Sequence, residues 1–384
     1  MIVDFTQQSN GDAKGKNIEN GIPLKAALHT KTIIAIAGGK GGVGKTLVTA
    51  GMGVALAEMD KKIVAVDVDF SGANLHQALG IISPPLTLAD FIFKRQKDIN
   101  KLAIETSIPN LHLIAGDAGT PGIGNLKYWV KKKVLRHLRN IDADVVLLDI
   151  GAGNAFNQLD YFNFADHGII IITPEPMAIQ DGYNFIKVSL FRKIYNIFSH
   201  YSELRNTIRT YFSRVDEHTP MLKDFRKTVE KAGSIAVQKY DRLLENFRPN
   251  LIVNMIEDQG DYKESLAIQI AVRDILNIDF DQIHFVRYDD KIRRAAKMMR
   301  PDLLMSMDID AAADIRRSAK GLVFGQTESI PDAPASLKAE KKSIDSGQLD
   351  KVICSMRCSL WGNCSAQNGG LACRIPVVGY MNQK

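Results

Sequence analysis

Short runs of β-branched apolar residues alternate with helix-length amphipathic stretches from Lys31 to Phe324. This alternation is typical of a mostly parallel sheet covered by helices on both faces, because strands buried on both faces read as continuous apolar runs. The predicted strands are Thr32–Ala37, Ile63–Asp67, Leu111–Ala115, Val145–Asp149, Gly168–Thr173, Leu251–Asn254 and Gln282–Val286. The predicted helices are Lys45–Met59, Leu126–Asn140, Ala178–Ser199, Tyr262–Leu276, Lys291–Met299 and Asp308–Phe324. The pattern therefore predicts an α/β fold with a mostly parallel, doubly wound sheet.

The chain divides into four predicted segments. Residues 1–29 are polar and rich in Gly, Lys, Asn and Gln, which predicts a flexible leader. The α/β unit spans residues 30–324, residues 325–349 are a Ser/Pro/Ala/Lys/Glu linker, and residues 350–384 are a small cysteine-containing tail. Within the α/β unit, residues 195–248 have a helical pattern without a strand, which predicts a helical insertion.

Basic charge is concentrated in that insertion. The whole chain has a net charge of +6, and residues 191–250 hold twelve Lys or Arg against seven Asp or Glu. A solvated helical hairpin is the simpler interpretation, and a docking surface for an acidic partner is the alternative.

Composition and cysteine placement exclude several classes of protein. The chain is 45% apolar and 24% charged, as in ordinary globular proteins. No apolar run approaches the roughly 20 residues that cross a bilayer, and the first residues lack the pattern of a secretory signal. All four cysteines lie in the last 31 residues, so the body is not a secreted disulfide scaffold. These features predict a cytoplasmic protein without a transmembrane segment.

A glycine-rich loop follows the first predicted strand and opens the first predicted helix. Its residues are Gly39, Lys40, Gly41, Gly42, Val43, Gly44, Lys45 and Thr46. Glycines allow successive backbone N–H groups to turn around phosphate oxygens, and the helix N-terminus adds partial positive charge. Lys45 can supply a point charge to the β- and γ-phosphates, and the Thr46 hydroxyl can bind Mg²⁺. The context predicts a P-loop.

The additional lysine near the start of the loop, Lys40, indicates one particular class of P-loop protein. The loop resembles the deviant Walker A ATPases of the MinD/ParA superfamily, which are P-loop NTPases of the SIMIBI type. The resemblance implies ATP and Mg²⁺ as ligands and an ATP-dependent homodimer, in which Lys40 would reach the partner's ATP. It also implies slow hydrolysis that an unidentified protein partner stimulates.

Two further motifs follow in the family's order. Val64-Ala-Val-Asp-Val-Asp69 with the downstream Asn74-Leu75 is similar to the family's second-strand motif. By this resemblance Asp69 would activate the attacking water and bind near Mg²⁺, and Asn74 would lie near the same water. Val145–Asp149 resembles the Walker B strand, which would place Asp149 next to Mg²⁺. Strand-end Asp residues can also simply cap turns.

Later segments resemble the MinD and FlhG/FleN branch. Gly151-Ala-Gly-Asn and Thr173-Pro-Glu-Pro recur there, and Asn254 matches the adenine-reading asparagine of the family. Asp289 matches the stretch after the last strand. The family commonly has Pro two residues before that Asp, where this chain has Arg287, whose guanidinium could stack on a base instead.

The C-terminal residues differ from those of membrane-binding relatives. MinD proteins end in a basic amphipathic helix, whereas residues 374–384 are short and broken by Pro.

The predicted helix over residues 127–139 is basic and amphipathic. We expect its apolar positions to pack on the sheet and its basic face to be solvated, with DNA or membrane-surface contact as the alternative.

The resemblance favours a cytoplasmic ATPase switch that controls the placement or number of a structure such as flagella, held at a membrane or cell pole through its partner. Three alternatives stay open. They are an Mrp-like iron–sulfur cluster carrier, a DNA-partition ATPase, and a biosynthetic ligase with the same P-loop.

The tail groups four soft ligands within twenty residues: Cys354, Cys358, Cys364 and Cys373. Four thiolates could hold Zn²⁺ or an iron–sulfur cluster. The spacing lacks a standard C-x2-C pair, so free thiols, redox disulfides and an incidental cluster remain alternatives.

If one metal binds all four cysteines, we expect the tail to depend on it for folding. The segment has few large apolar side chains, and structural zinc supplies on the order of 10 kcal/mol. Any single Cys→Ser change should make residues 350–384 protease-sensitive while the ATPase unit stays folded. Elemental analysis of anaerobically purified protein checks this. Less than about 0.2 equivalents of Zn or Fe, with a tail that stays protease-resistant after chelation, would exclude the metal.

Overall fold

The computed structural model describes residues 31–325 except 118, 121–122, 124–125, 127, 214–221 and 307. The predicted leader, linker and cysteine tail therefore lie outside the described residues. The strands are β1 (Thr32–Ala37), β2 (Ile63–Asp67), β3 (Ile104–Glu105), β4 (Leu111–Ile114), β5 (Val145–Asp149), β6 (His167–Ile172), β7 (Asn250–Ile256) and β8 (Ile283–Arg287). A 3₁₀ turn covers Ile99–Leu102.

The helices complete the described elements. They are α1 (Lys45–Ala57), α2 (Leu75–Ala78), α3 (Leu88–Ile92), α4 (Tyr128–Leu138), α5 (Phe156–Phe164), α6 (Pro176–Ile197), α7 (Ser202–Ser213), α8 (Leu222–Lys231), α9 (Ser234–Asn246), α10 (Gln259–Ser265), α11 (Ala267–Leu276), α12 (Asp290–Lys297), α13 (Pro301–Leu304) and α14 (Asp310–Phe324). None of these helices is both long and apolar enough to cross a membrane.

The strands form one sheet in the order β3-β4-β2-β5-β1-β6-β7-β8. Every pairing is parallel except that of the short edge strand β3 with β4. In the middle of the sheet, β1 pairs on one side with β5 and on the other with β6. The predicted doubly wound, mostly parallel sheet is confirmed.

Alternate residues of the central strands enter two separate cores. Ile33 and Ala35 of β1 pack under the layer that contains α3 to α9 and α11. Ile34 and Ile36 pack under α1, α2 and α12 to α14. Since β1 leads into α1 on one face and β5 leads into α5 on the other, the chain changes direction between these two neighbouring strands. Open α/β sheets bind ligands at the carboxyl ends of strands at such a point.

The insertion consists of α7, α8 and α9, as the absence of a strand pattern predicts. Phe225 of α8 and Tyr240 of α9 stack edge to face with ring centroids 5.6 Å apart. Leu204 and Ile208 of α7 are buried in the same continuous core as α6. The described part of the insertion therefore packs into the helical layer on this face of the sheet.

Predicted and observed elements agree closely along the sheet. β1, β2 and β5 have the predicted bounds, and the other predicted strands shift by one or two residues. The predicted helix Tyr262–Leu276 is two helices that meet at Leu266. The elements α2, α3, α13 and β3 have no counterpart among the predicted elements, because segments of two to five residues show too little of a period. The nine-residue helix α5 was also not predicted.

Gly168 makes a close contact between the sheet and α5. A Cβ at this position would lie 2.4 Å from Cζ of Phe162, and the Phe162 ring packs edge to face against Phe185 at 5.2 Å. We expect Gly168→Ala to lower the free energy of unfolding by about 1–3 kcal/mol through overpacking. Chemical denaturation measures this. The double variant Gly168→Ala/Phe162→Leu should recover part of the loss, because the smaller side chain makes room; additive losses would contradict the contact.

Candidate functional site

The glycine-rich loop connects β1 to α1 at the carboxyl edge of the sheet. Gly42 and Gly44 have φ angles of +86° and +89°, which side chains with a Cβ rarely adopt. Gly41 and Gly42 are exposed, and a Cβ at either would meet no atom within 4 Å, so the loop is uncovered at these two positions. An open ring of backbone N–H groups at a helix N-terminus fits a phosphate group.

The start of the loop is held by close backbone contacts. A Cβ at Gly39 would lie 2.1 Å from the carbonyl oxygen of Asp181 in α6, and one at Gly38 would lie 2.8 Å from the carbonyl oxygen of Ile171 in β6. Only glycine permits this approach. No sequence signal marks Asp181, because its backbone and not its side chain makes the contact.

Lys45 is buried at the first turn of α1, with 9% of its surface exposed. Its ammonium group donates a hydrogen bond to the carbonyl oxygen of Lys40 at 3.1 Å. Burial lowers the pKa of Lys45, and the carboxylates of Asp149 and Asp69 oppose that shift. The lysine thus lies inside the loop and is charge-balanced by the two acids that the sequence analysis selected. The side chain of Lys40 itself is half-buried.

The Thr46 hydroxyl, at the start of α1, lies close to polar side chains at the end of β5 and at the start of α2. Its hydroxyl oxygen lies 2.8 Å from Oδ2 of Asp149 and 3.0 Å from Oδ1 of Asn74. Thr49, one turn along α1, lies with its hydroxyl oxygen 3.2 Å from Oδ1 of Asp149. Hydroxyl, carboxylate and amide oxygens are hard ligands, and Mg²⁺ in phosphate sites takes one or two protein carboxylates together with phosphate oxygens. The donor set therefore fits Mg²⁺ beside a bound phosphate.

Asp67 is a buried carboxyl group that the sequence analysis used only as the end of β2. It lies opposite Asp149 in the parallel register and is fully buried. Its oxygens accept hydrogen bonds from the backbone N–H of Asp69 at 3.0 Å and of Leu75 at 3.1 Å. Burial, followed by repulsion from Asp149, raises the pKa of Asp67 to about 8. Burial also raises the pKa of Asp149 to about 6. The signal available in the sequence was the alternation of Asp67 with Asp69 at a strand end.

Asp69 caps a turn and also lies against the segment that follows β5. Its Oδ1 accepts hydrogen bonds from the backbone N–H of Ser71 at 2.9 Å and Gly72 at 3.1 Å, which caps the turn after β2. The same carboxyl group packs on Gly151, where a Cβ would lie 2.6 Å from Cγ of Asp69. The carboxylate therefore lies against the segment that follows Asp149.

Asn254 reaches the loop from the other side. A bulge in the β7–β8 pairing falls between Asn254 and Ile256, and Met255 within it has a φ of +62°. Strained backbone of this kind is concentrated at functional sites. The Asn254 amide is buried and donates to the carbonyl oxygen of Val43 at 2.9 Å. The bulge thus directs the predicted base-reading amide to the loop.

Arg287 and Asp289 lie at and just after the end of β8. Their side chains bind neighbouring helices. The Arg287 Nε lies 2.9 Å from Oδ2 of Asp314, and its Nη1 lies 3.2 Å from Oδ2 of Asp310. Asp289 caps α12 by accepting from the backbone N–H of Lys291 at 2.9 Å. In this structure, the Arg287 guanidinium joins β8 to α14.

The structure thus brings Lys40, Lys45, Thr46, Asp69, Asn74, Asp149 and Asn254 to one edge of the sheet. Among the described residues no group of three or more His, Cys, Asp or Glu is arranged to hold a metal by itself. Cys354, Cys358, Cys364 and Cys373 lie outside them.

The raised pKa of Asp67 predicts a pH dependence of stability. Between the unfolded value of 3.8 and about 8, the native state keeps a proton that the unfolded chain has lost, so stability falls as pH rises. We expect Asp67→Asn to be more stabilising at pH 8 than at pH 5, by at least about 1 kcal/mol. Denaturation in EDTA without nucleotide measures the difference. Asp274→Asn on the exposed surface of α11 is the control, and equal pH slopes for Asp67→Asn and wild type would contradict the shift.

Comparison with known proteins agrees with this geometry. Residues 34–301 match the CobQ/CobB/MinD/ParA nucleotide binding domain. The antiactivator FleN of Pseudomonas aeruginosa is 26% identical over 232 residues, which are 58% of this chain and 82% of FleN. The flagellum site-determining protein YlxH of Helicobacter pylori is 27% identical over 59% of this chain and 79% of YlxH. The septum site-determining protein MinD of Synechocystis is 31% identical, over 39% of this chain and 56% of that MinD.

Solved structures share the fold. The MinD cell division protein of Aquifex aeolicus has a TM-score of 0.53 at 20% identity, covering 78% of this chain and all of that one. MinD of Pyrococcus horikoshii, complexed with Mg-ADP, has a TM-score of 0.52 at 20% identity, covering 76% and 96%. Because the family match spans more than half of the sequence and includes the whole loop, this chain belongs to the CobQ/CobB/MinD/ParA nucleotide-binding family.

Proposed function

We propose that this chain is a Mg²⁺-dependent ATPase that works as a dimerising switch. ATP would close a homodimer, the dimer would bind a partner, and hydrolysis would release it. The observation that carries the proposal is the convergence of Thr46, Asn74 and Asp149 directly behind an open glycine loop that contains two lysines. An oxygen cluster at this place suits the cation that accompanies a nucleoside triphosphate.

The residues of the site suggest separate roles. The backbone N–H groups of the loop and the Lys45 ammonium would bind the phosphates, so Lys45 would exchange its bond to the Lys40 carbonyl for a phosphate oxygen. Thr46 and Asp149 would hold Mg²⁺, which when bound neutralises negative charge on the phosphate oxygens. Asp69 and Asn74 would orient the attacking water.

Lys40 is the basis for proposing dimerisation. The neighbouring Gly41 and Gly42 are exposed, so the tip of the loop is accessible to a second chain. A lysine here can place its ammonium group on the phosphates of a facing protomer, which would couple dimer formation to ATP. A slow intrinsic rate follows if a partner must complete the site.

Control of the placement or number of a cellular structure, with flagella as the specific case, is supported by the relatives. FleN is described as an antiactivator, YlxH as flagellum site-determining and MinD as septum site-determining. The matches to FleN and YlxH cover 58–59% of this chain, against 39% for the Synechocystis MinD. We propose that the protein acts in the cytoplasm and is held at the membrane or cell pole through a partner.

The test of hydrolysis uses Asp69→Asn, which keeps an oxygen for the turn-capping bonds to Ser71 and Gly72 but removes the negative charge. We expect ATP binding within a factor of about three of wild type. Turnover should fall by roughly 10²–10⁴-fold, the range typical of general acid–base groups. Nucleotide binding and phosphate release are measured in parallel. Lys45→Ala should lose binding itself; wild-type turnover in Asp69→Asn would remove Asp69 from the mechanism.

The dimer is tested in the Asp69→Asn background, where ATP persists. With ATP and Mg²⁺ the protein should run at twice the monomer mass in light scattering, and adding Lys40→Ala should return it to the monomer without loss of ATP binding. A dimer that is insensitive to Lys40→Ala would contradict the proposed role.

A further inference from the structure

Three charged side chains from α4, α5 and α6 form a cluster with little exposure to solvent. Asp160 of α5 forms an ion pair with Lys131 of α4, and Nε of Arg192 in α6 lies 3.0 Å from Oδ1 of the same carboxylate. The side chains of Lys131, Asp160 and Arg192 are 7%, 12% and 18% exposed. Two cations thus share one carboxylate. Burying charges costs free energy that apolar packing of three helices would not require, so the cluster needs its own explanation.

The cluster holds the first turns of α5. Phe156 begins this helix, and Asp160 lies one turn further on. Arg192 contacts both, because its guanidinium carbon also lies 4.6 Å from the centroid of the Phe156 ring. The Lys131 ammonium donates a second hydrogen bond to Oδ1 of Asn157 at 3.3 Å. Both cations therefore bind the same end of α5.

That end of α5 follows directly on the segment that leaves the site, residues 150–155. Gly151 in this segment packs on Asp69, where a Cβ would lie 2.6 Å from Cγ of the acid. Gly153 has a φ of +99°, and a Cβ there would meet no atom within 4 Å. The segment is thus in close contact with Asp69 near one end and joined to α5 at the other, with a conformationally free glycine between them.

Arg192 extends from a helix that also touches the glycine loop. The carbonyl oxygen of Asp181 in α6 lies so close to Gly39 that a Cβ there would approach it to 2.1 Å. Asp181 and Arg192 are about three turns apart on α6. One rigid helix therefore contacts the loop through its backbone and the first turn of α5 through Arg192.

We propose that Arg192 is a positioning residue for hydrolysis. By binding Phe156 and Asp160 it fixes the start of α5, and thereby holds residues 150–155 against Asp69. The inference rests on the proposed function, in which Asp69 orients the attacking water. Catalytic groups must be held within a fraction of an ångström by the residues behind them, and a shift of about 1 Å can cost about 10²-fold in rate.

The other end of α5 offers a matched control. Arg139 of α4 lies with its Nη1 2.7 Å from Oδ2 of Asp166, and its guanidinium carbon lies 4.7 Å from the ring centroid of Phe164. Phe164 is the last residue of α5. Arg139→Met therefore removes an arginine that binds an aspartate and a phenylalanine, as Arg192 does, but leaves the first turn of the helix intact.

The first experiment measures single-turnover ATP hydrolysis by the full chain with Mg²⁺. Arg192→Met should lower the rate at least about tenfold, with ATP affinity within about threefold of wild type. In an Asp69→Asn background the same change should lower the residual rate by less than about twofold, because the positioning acts through that carboxylate. Arg139→Met should stay within about twofold in both backgrounds.

The second experiment reads the contact without catalysis, by amide hydrogen exchange of the nucleotide-free protein. The N–H groups of Ser71 and Gly72 donate to Asp69, so they report on its position. Arg192→Met should speed their exchange and that of residues 150–155 by about fivefold or more, whereas Arg139→Met should not. Phe156→Ala should act in the same direction. Its ring is 63% exposed, so this variant serves if Arg192→Met fails to fold.

Three results would overturn the proposal. They are an equal loss of rate from Arg192→Met in both backgrounds, an equal loss from Arg139→Met, and unchanged exchange at Ser71 and Gly72. Failure of the proposed function has a different signature. Wild-type turnover in Asp69→Asn would remove Asp69 from catalysis, while the exchange data would still show whether Arg192 holds the segment.

Discussion

The parallel pairing of β1 with β5 is the constraint on which the site depends. It places Ile36 opposite Asp149, so the loop that leaves β1 begins next to that carboxylate. The helix α1 then turns Thr46 and Thr49 onto the two carboxylate oxygens. One buried acid thereby fixes the first turn of α1, and with it the direction of the glycine loop. The remaining site residues follow the neighbouring strands: Asp69 and Asn74 come after β2, which pairs with β5, and Asn254 lies in β7, which pairs with β6 next to β1.

This arrangement costs stability in the absence of ligand. Asp67 and Asp149 are buried side by side, and both pKa values are raised because ionisation is unfavourable there. The ammonium of Lys45 lies nearby but donates to a backbone carbonyl, so it compensates the acids only in part. Met255 adds backbone strain on the opposite side. A site with two neighbouring buried carboxyl groups and a strained bulge gains most when a cation and a polyanion bind together.

The sequence predicted the sheet and the loop because both depend on local patterns. Apolar runs such as Val145–Asp149 reveal strands buried on both faces, and a glycine loop between a strand and a helix has few other uses. The engagement of Arg287 by Asp314 could not be predicted, since it joins residues 27 positions apart through tertiary packing. The sequence also predicted that the apolar positions of the basic helix pack on the sheet. Val134 and Leu138 of α4 do, but 70% of the surface of Trp129 is exposed, because a helical period identifies an apolar side only on average.

Base recognition shows how these features act together. Asn254 donates one N–H of its side-chain amide to the Val43 carbonyl, which belongs to the same loop that would bind the phosphates. An amide also carries a second N–H and a carbonyl oxygen, so a base could bond to these while the bond to Val43 holds the side chain in place. Each such neutral bond contributes typically about 0.5–1.5 kcal/mol. The guanidinium of Arg287, by contrast, is already held by Asp314 and Asp310. Bonds between charged groups and phosphate are stronger than neutral ones, so the larger share of the binding energy is expected on the phosphate side, where the loop, Lys45 and the oxygens around Thr46 converge.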